Sequence, residues 1–437
     1  MSTKTISSVT GETIRHSNAA ELANALQAAR ADTLRTFAAY ERISGDLQVP
    51  YRPDLNPPLW ELGHIGWFQE WWLARNPQRK LGAAADPTVQ RLAGVRAQAD
   101  ALYNSSQVPH ASRWSLPLPT PDATRDDLAL QLAQTLALLE KAQGDDGLYF
   151  FRLALLHEDM HHEAAVYMAQ TLALDLDDAR WLPPTLAAPQ HALHLDAATC
   201  VMGQPINAPG FAFDNELGHE AVALDAYSID NRVLLWGDYL PFIESGGYSD
   251  DRWWSAAGHA WLAQTGLTMP LYLRRAGGQW QRRTGSQWQA LNLQECACHL
   301  TAQEAQAWCA WAGRRLPSEA EWLHAARQRP HDFAWGQVWE WTASAFRPFV
   351  GFVPHPYQDY SAPWFDGRPV LRGASFATQP RLRNLNYRNF FQPQRNDVPA
   401  GFRSCALSDA NRKPIPVQPA SSTAKSALGS VQHCSCV

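Results

Sequence analysis

The sequence predicts an α+β protein in which a helical bundle is followed by a domain of short strands and loops. Apolar residues recur with a helical period from Ala19 to about Leu172. After Asp178 the long helical stretches end, and from His191 to Ala406 the chain is rich in Gly, Trp and Arg, with short β-like runs. A chain of 437 residues is long enough for two such domains, each with its own core.

The shift in composition sets the expected boundaries. A linker begins at Leu182, Pro183 and Pro184. Pro, Ser, Ala and Lys dominate the last residues, which favours little order there. We therefore expect an N-terminal extension at 1–18, a bundle at 19–180, a linker at 181–192, a second domain at 193–408 and a flexible tail at 409–437.

Composition excludes several classes of function. The net charge is −5, so no basic surface for nucleic acid is expected. No apolar run reaches the roughly 18 residues of a membrane span, and the N-terminus lacks the apolar core of a signal peptide. The seven cysteines are scattered and odd in number, unlike a secreted disulfide framework. We expect a cytoplasmic protein with neither a nucleic-acid nor a membrane partner.

Four helices are expected in the first half, packed up and down. The first covers 20–44. Pro57 or Pro58 starts the second, because proline is favoured in the first turn of a helix. Asp122 or Thr124 caps the third.

The fourth helix, at 153–172, carries the two residues around which the first half is organised. His157 and His161 are four residues apart, so both project from one face, which also carries Leu156 and Met168. Two imidazoles on an inward face form half of a site for a divalent metal. The alternative is a pair of buried histidines that bind no metal.

A third histidine lies on the apolar stripe of the second helix. Trp60, His64, Trp67 and Trp71 share one face. His64 either bonds a carbonyl in the core or completes the metal site, since bundles build such sites from facing helices. Three imidazoles suit Zn(II), which would activate water, or Fe(II), which would leave positions for a chalcogen atom and O2. Spacing alone does not choose between the two metals.

Two neighbours of the histidine pair are weaker candidates. Glu163 lies two residues beyond His161 and is rotated away from it, so we predict a supporting or structural acid and not a ligand. His162 lies about 100° off the ligand face.

A long polar loop follows at 100–119. It carries Asn104, Ser105, His110 and Arg113. Long loops with such side chains line substrate pockets in enzymes, although a solvated connection explains each residue equally well. We keep Asn104, Ser105 and Arg113 as candidate substrate contacts.

Capping signals predict two helices in the second half. Thr301 and Glu304 form a capping box for a helix at 301–312, and another helix starts near Ser318 or Glu319. Short strands are expected at 370–376 and 400–407.

Four motifs of the second half resemble those of one known domain family. They are WCAWAGRRLPSEAEWLHAAR, WGQVWEWTAS, VLRGASFAT and AGFR. Together they resemble the formylglycine-generating-enzyme/sulfatase-modifying-factor domain, which has a C-type-lectin-like fold. The resemblance covers about the last half of the chain.

The two halves together resemble the ergothioneine-type sulfoxide synthases. His64 and the pattern of His157, His161 and Glu163 resemble a DinB-like four-helix bundle with a metal site, and FDNE at 213–216 also fits that family. Its members are non-haem Fe(II) enzymes that use O2 to join a thiol sulfur to the imidazole carbon of hercynine, which is trimethylhistidine. The resemblance implies Fe(II) as cofactor and His64, His157 and His161 as its ligands.

The motif YRNFF resembles the family's hercynine-binding motif. It implies Asn389 as a contact to the ammonium or carboxylate end of hercynine, with the neighbouring Arg388 as a further candidate substrate contact. Phe390 and Phe391 pack on the quaternary ammonium, as aromatic faces do. Met160 belongs to the same set, because the family often has Gln before the second helix histidine.

The sequence departs from the family at the expected proton donor. After WEWT the family carries a Tyr, sometimes two at a spacing of three, and the places that look equivalent hold Phe346 and Phe349. A Phe has no proton to give, so no catalytic residue beyond the metal ligands is expected. Phe391 stands where an Asp often holds the amine of the thiol substrate. These changes argue against cysteine or glutamylcysteine as the donor.

The sequence best resembles the selenoneine synthase branch of this family, which uses a selenosugar. The function expected is Fe(II)- and O2-dependent C–Se bond formation between hercynine and a selenosugar. The alternative is an ergothioneine-type sulfoxide synthase that uses cysteine or γ-glutamylcysteine. A metal-free binding module and a Zn thiol transferase also stay open. Cys434 and Cys436 could bind a metal or cycle as a dithiol, but an accidental exposed pair is the simpler explanation.

Overall fold

The computed structural model describes residues 10–407. The predicted tail at 409–437, with Cys434 and Cys436, lies outside the described residues. The helices are α1 Gly11–Arg15, α2 Ala19–Ser44, α3 Pro58–Trp72, α4 Ala99–Tyr103, α5 Pro121–Leu139, α6 Gly144–Thr171, α7 Trp236–Glu244, α8 Ala256–Thr265, α9 Ala302–Trp311 and α10 Glu319–Gln328. The strands are β1 Ala192–Leu195, β2 Ala198–Met202, β3 Glu220–Leu224, β4 Tyr227–Asp230, β5 Leu273–Ala276, β6 Gln279–Thr284, β7 Gln287–Ala290, β8 Arg314–Arg315, β9 Trp339–Ala345, β10 Pro369–Gly373, β11 Asn389–Phe390, β12 Ala400–Gly401 and β13 Cys405–Ala406.

The first half is a bundle of four long helices, α2, α3, α5 and α6. Helix α6 packs against α2 and α3, and α3 also packs against α5. Helix α2 begins with a capping box in which the Asn18 side chain accepts from the Glu21 amide at 3.0 Å. Within residues 10–407, no helix combines the length and apolar character needed to cross a bilayer.

The starts of α3 and α5 show how proline positions a helix. Helix α3 begins at Pro58, as predicted. Helix α5 is capped by Thr120, so the predicted caps Asp122 and Thr124 are wrong. Pro121 takes the first helical position of α5, and the capping residue must therefore precede it.

The second half consists of short sheets joined by long loops. Two four-stranded sheets have the orders β1-β4-β13-β8 and β11-β10-β9-β12, and β2-β3 and β5-β6-β7 form smaller antiparallel sheets. Strand β12 runs parallel to β9. Helix α9 confirms the predicted capping box of Thr301 and Glu304, and α10 starts where predicted, with Ser318 as its cap in a second capping box. Sequence reasoning missed α7, which contains Pro241, and the ten-residue α8.

One contact between the two halves runs along the side of α6 that carries Asp159 and Glu163. The buried carboxylate of Glu163 accepts from the Trp339 indole at 2.6 Å, from Ser375 at 2.8 Å and from Thr378 at 2.9 Å. One turn earlier, Asp159 of α6 pairs with Arg381 through two bonds of 2.6 and 2.7 Å. These contacts fix the second half against the helix that carries His157 and His161.

The N-terminal segment also bridges the halves. Arg15 of α1 is buried and forms an ion pair with Glu216 of the second half. Its guanidinium also donates to the carbonyl of Phe211 at 3.2 Å.

Candidate metal centre

Helices α3 and α6 bring the three predicted histidines together in the bundle core. The ligand atoms of His64, His157 and His161 all lie within 4.8 Å of one another, and all three side chains are buried. The Nε2 atoms of His157 and His161 are 3.1 Å apart. This separation suits two ligands of one ion at about 2.1 Å each.

Hydrogen bonds on the far side of two rings turn their Nε2 atoms toward the common point. Nδ1 of His64 donates to the carbonyl of Tyr103 at 2.8 Å. Nδ1 of His161 bonds the carboxylate of Glu61, which also accepts from the Asn56 amide. Metal-binding histidines are typically oriented in this way by a carboxylate or carbonyl on the second nitrogen.

Electrostatics keep the site ready for a cation. Burial lowers the pKa of His64 to about 3 and that of His157 well below its usual value. Burial acts to raise the pKa of Glu61, but the imidazoles of His161 and His64 and the Asn56 amide lower it to about 2. The site therefore offers the neutral imidazole nitrogens of His64 and His157, and the anionic carboxylate of Glu61 lies behind His161.

The donor set fits a divalent transition metal. Neutral imidazole nitrogen suits both Zn(II) and Fe(II). Nδ1 of His157 has no hydrogen-bond partner among residues 10–407, and the ring stacks on Phe68 with centroids 3.4 Å apart. Three protein ligands leave coordination positions for exogenous molecules, as catalytic sites require.

The structure corrects the expectation that the site lacks a phenol. Phe346 and Phe349 both lie against the guanidinium of Arg388, whose central carbon is 4.9 and 4.0 Å from their ring centroids. A phenol ring does lie near the triad, that of Tyr357, with its centroid 5.8 Å from that of His157. The long loop after β9 brings this tyrosine back to the bundle. Its position along the sequence after the WEWT motif does not indicate this contact.

A small cavity lies between the two halves, lined by residues of α6 and of the second half. Tyr357 lies between the triad and this cavity, because its ring is near His157 and also stacks with that of Tyr360 at a centroid distance of 6.3 Å. The cavity measures about 20 Å³, room for about one water molecule. We call it the reaction cavity. Its lining residues are Met160, Glu163, Tyr167, Tyr360, Tyr387, Asn389, Phe390 and Phe391.

The structure brings several predicted substrate contacts to this cavity but not Arg388. Met160, Asn389, Phe390 and Phe391 line it. Arg388 is buried and makes two hydrogen bonds to Glu319, and it also donates to the carbonyls of Asn215 and Arg347. Its donors are thus directed to protein groups, so a substrate role for Arg388 is not supported.

The polar loop supports the metal centre instead of the cavity. Arg113 donates to Asn56 at 2.6 Å, and Asn56 donates to Glu61, the partner of His161. The guanidinium of Arg113 also lies 4.0 Å from the ring centroid of Trp60.

The other two candidates of this loop, Asn104 and Ser105, bond to residues of the same loop. Asn104 accepts from the Ser106 amide at 3.1 Å. The carbonyl of Ser105 lies 3.4 Å from Arg113. The contacts described for Asn104, Ser105 and Arg113 lie within the bundle, and their role in binding substrate stays a prediction.

Glu163 and His162 form their hydrogen bonds with residues outside the triad. Glu163 joins the two halves as described above, and burial raises its pKa although three donors counter that effect. Nε2 of His162 lies 2.9 Å from the Thr36 hydroxyl. The structure thus agrees with a structural acid at 163, on the side of α6 away from the ligands.

Sequence reasoning missed Glu61 and Tyr357, although both left a signal. Glu61 precedes His64 by three residues and therefore shares its helix face. Tyr357 and Tyr360 have the spacing of three that the resemblance leads one to expect of the tyrosines near the metal.

Comparisons with known proteins agree with both halves of this architecture. Residues 185–337 match the family model of the sulfatase-modifying factor enzyme 1-like domain, which confirms the predicted domain. The hercynine oxygenase of Mycolicibacterium thermoresistibile is 30% identical over an alignment of 449 positions, gaps included, which covers 90% of this chain and 96% of that protein.

Two further relatives extend this result. The hercynine oxygenase of Mycobacterium tuberculosis is 30% identical over 88% of this chain and 98% of that protein. Ergothioneine biosynthesis protein 1 of Schizosaccharomyces pombe is 25% identical over 42% of this chain and 26% of that protein. Because the similarity to the hercynine oxygenases runs through the bundle and the second domain alike, the chain belongs to their family, the ergothioneine-type sulfoxide synthases.

Proposed function

We propose that this chain is an Fe(II)- and O2-dependent enzyme that joins a chalcogen donor to the imidazole carbon of hercynine. The observation that carries the proposal is a buried histidine triad next to a cavity lined by aromatic rings and Asn389. In the balanced reaction, the hercynine C–H, a thiol and O2 give a C–S bond bearing one oxygen, and the second oxygen leaves as water. The bundle would be of the DinB-like type.

The aromatic lining of the reaction cavity supports hercynine as the substrate. Tyr360 and Phe390 have ring centroids 5.3 Å apart, and the hydroxyls of Tyr360 and Tyr387 are 2.5 Å apart. A quaternary ammonium cannot donate hydrogen bonds, so proteins bind it against ring faces. The buried carboxylate of Glu163 adds negative charge to the same wall.

The triad would hold iron through the Nε2 atoms of His64, His157 and His161. Iron bound there would supply the activation of O2 and bind the donor's sulfur or selenium. Tyr357 lies beside His157 and would hold a proton close to the reacting atoms. Asn389 accepts from the Phe390 amide at 2.8 Å through its side-chain oxygen, which leaves its NH2 group facing a substrate carboxylate.

The comparisons support a thiol donor as the first candidate, because the relatives along nearly the whole chain are hercynine oxygenases. A second candidate is a selenosugar donor with C–Se bond formation. One observation favours it: among the described residues that line the reaction cavity, Glu163 alone is a carboxylate, and it is bonded to the second half. Phe391 offers no charge for a donor's ammonium. Phe346 and Phe349 do not favour this candidate, because Tyr357 places a phenol ring beside His157.

Product analysis tests the proposal and separates the two donors. The enzyme is incubated with Fe(II), O2 and hercynine together with cysteine, γ-glutamylcysteine or a selenosugar, and products are identified by mass spectrometry. We expect a hercynine adduct that disappears when O2 is omitted. Activity without O2 would favour a Zn transferase, and no adduct with any donor would contradict the proposal.

Metal analysis provides the second test. We expect wild type to bind iron stoichiometrically and His157→Ala to lose it. His259→Ala is the matched control, because this half-exposed histidine contacts Asp251 far from the triad in sequence. Equal iron content in wild type and His157→Ala would contradict the proposed centre and favour a binding module without a metal.

A further inference from the structure

A second, much larger cavity lies at the junction of the halves, beyond the reaction cavity. It has a volume of about 610 Å³ and lies between the end of α6, the segment that follows α6, and the β5-β6-β7 sheet. Small-molecule sites typically measure about 300–1,000 Å³. The reaction cavity, at about 20 Å³, is too small for hercynine as it stands. A substrate must therefore displace side chains to reach the triad.

Tyr167 of α6 is the residue that lines both cavities. Met160, Glu163, Tyr167 and Gln170 follow one another along one side of α6, at the spacing of helix neighbours. With a rise of 1.5 Å per residue, Tyr167 lies about 9 Å and Gln170 about 14 Å along the axis from His161. This side of the helix thus leads from the reaction cavity, past the ring of Tyr167, into the large cavity.

The lining of the large cavity suits a hydrated polar molecule. Gln170, Arg282, Gln287 and Gln289 contribute polar groups, and Trp181 contributes a ring. Thr284, another lining residue, has a buried hydroxyl with no hydrogen-bond partner within residues 10–407. A buried hydroxyl without a partner is costly, and a ligand or water in the cavity would satisfy it.

Backbone strain is concentrated at the same place. Asp177 and His299 both line the cavity and both have positive φ, 53° and 62°. Among residues 10–407 only five non-glycine residues have positive φ. Such conformations cost free energy and cluster at ligand sites, where the surrounding structure holds them.

We propose that the large cavity is the access chamber of the reaction cavity and that Tyr167 is the side chain that separates them. The inference rests on the proposed function, because it takes hercynine, a small zwitterion with a quaternary ammonium, as the passing molecule. The guanidinium of Arg395 lies 6.0 Å from the ring centroid of Tyr167 and 5.3 Å from that of Phe391. Rotation of the Tyr167 ring would join the two spaces without moving a metal ligand.

A labelling experiment tests the chamber. Gln289, an exposed residue at the cavity rim, is changed to Cys and labelled with N-cyclohexylmaleimide. Gln279→Cys is the matched control, because Gln279 is exposed on the same small sheet but does not line the cavity. Both proteins carry Cys434→Ser and Cys436→Ser. The cysteines at 200, 296, 298, 309 and 405 are buried and are left in place.

Hercynine binding is followed without turnover, by stopped-flow tryptophan fluorescence of the iron-loaded enzyme in the absence of O2. We expect the label at 289 to lower the association and dissociation rate constants together, by tenfold or more, while Kd stays unchanged. An obstructed route slows both directions equally, whereas a damaged binding site weakens Kd. The label at 279 should change neither the association nor the dissociation rate constant. Tyr167→Ala, unlabelled, should raise the association rate constant.

The outcomes separate this inference from the proposed function. Equal rate constants in the two labelled proteins would overturn the chamber alone. A weaker Kd with an unchanged association rate would also overturn it, because the large cavity would then be part of the binding site itself. No hercynine binding by the unlabelled enzyme would overturn the proposed function, and with it this route for hercynine.

Discussion

Replacing Glu61 by Gln should weaken the metal centre without touching a ligand. The carboxylate of Glu61 accepts from both His161 and Asn56 in a fully buried position. A Gln amide has one oxygen and can accept from only one of the two donors, because its other end is itself a donor. A buried donor left unsatisfied costs about 1–3 kcal/mol.

The same change should therefore lower the affinity for Fe(II) by about 10- to 100-fold, the range measured when groups behind a metal ligand are altered. The assay is anaerobic isothermal titration of Fe(II) into the metal-free protein. Glu70→Gln is the matched control, since Glu70 is a second buried acid on α3 and accepts from the amides of Val95 and Gln131, away from the triad. Arg113 is linked to Glu61 through Asn56. Arg113→Met should therefore lower the affinity for Fe(II) too, but by less.

Two results would refute this reasoning. If Glu61→Gln binds Fe(II) as tightly as wild type, the carboxylate does not orient His161 for the metal. If Glu70→Gln loses as much affinity as Glu61→Gln, the effect comes from general loosening of α3 and not from the contact with His161. Thermal unfolding of each metal-free variant checks that the bundle is folded.

Three further changes test other parts of the structure. Arg381→Met leaves Asp159 buried without its partner and should lower the free energy of unfolding by about 3–5 kcal/mol in chemical denaturation, whereas Arg42→Met, in the exposed pair with Asp177, should cost under about 1 kcal/mol. Burial raises the pKa of Glu304 to about 7, so its ionisation costs stability as pH rises from about 4.5 to 7. The stability of Glu304→Gln relative to wild type should rise over that interval by up to about 3 kcal/mol, and a pH-independent difference would contradict this. Phe391→Asp places a charge in the reaction cavity and should increase kcat/KM for a thiol donor with a free ammonium relative to one without, and equal ratios in variant and wild type would count against this wall as the donor contact.

The starts of several helices follow from local rules that can be read from the sequence. The start of α3 at Pro58, the capping box of α9 and the start of α10 at Glu319 depend on residues within one helical turn, and the sequence predicts them correctly. The cap of α5 was misplaced by two or more residues because Pro121 was not considered as the first helical residue. Helix α7 was missed because Pro241 within it signals a break, although tertiary packing holds the helix together.

The sequence by itself determined which faces of two helices carry His64, His157 and His161, because helical periodicity is a local property. Only the tertiary structure decided what surrounds them. Glu61 reaches His161 across the bundle, and Tyr357 reaches His157 from a loop of the other half, 200 residues further along the chain. Such contacts depend on how separate elements pack, and side-chain spacing within one element carries no information about them.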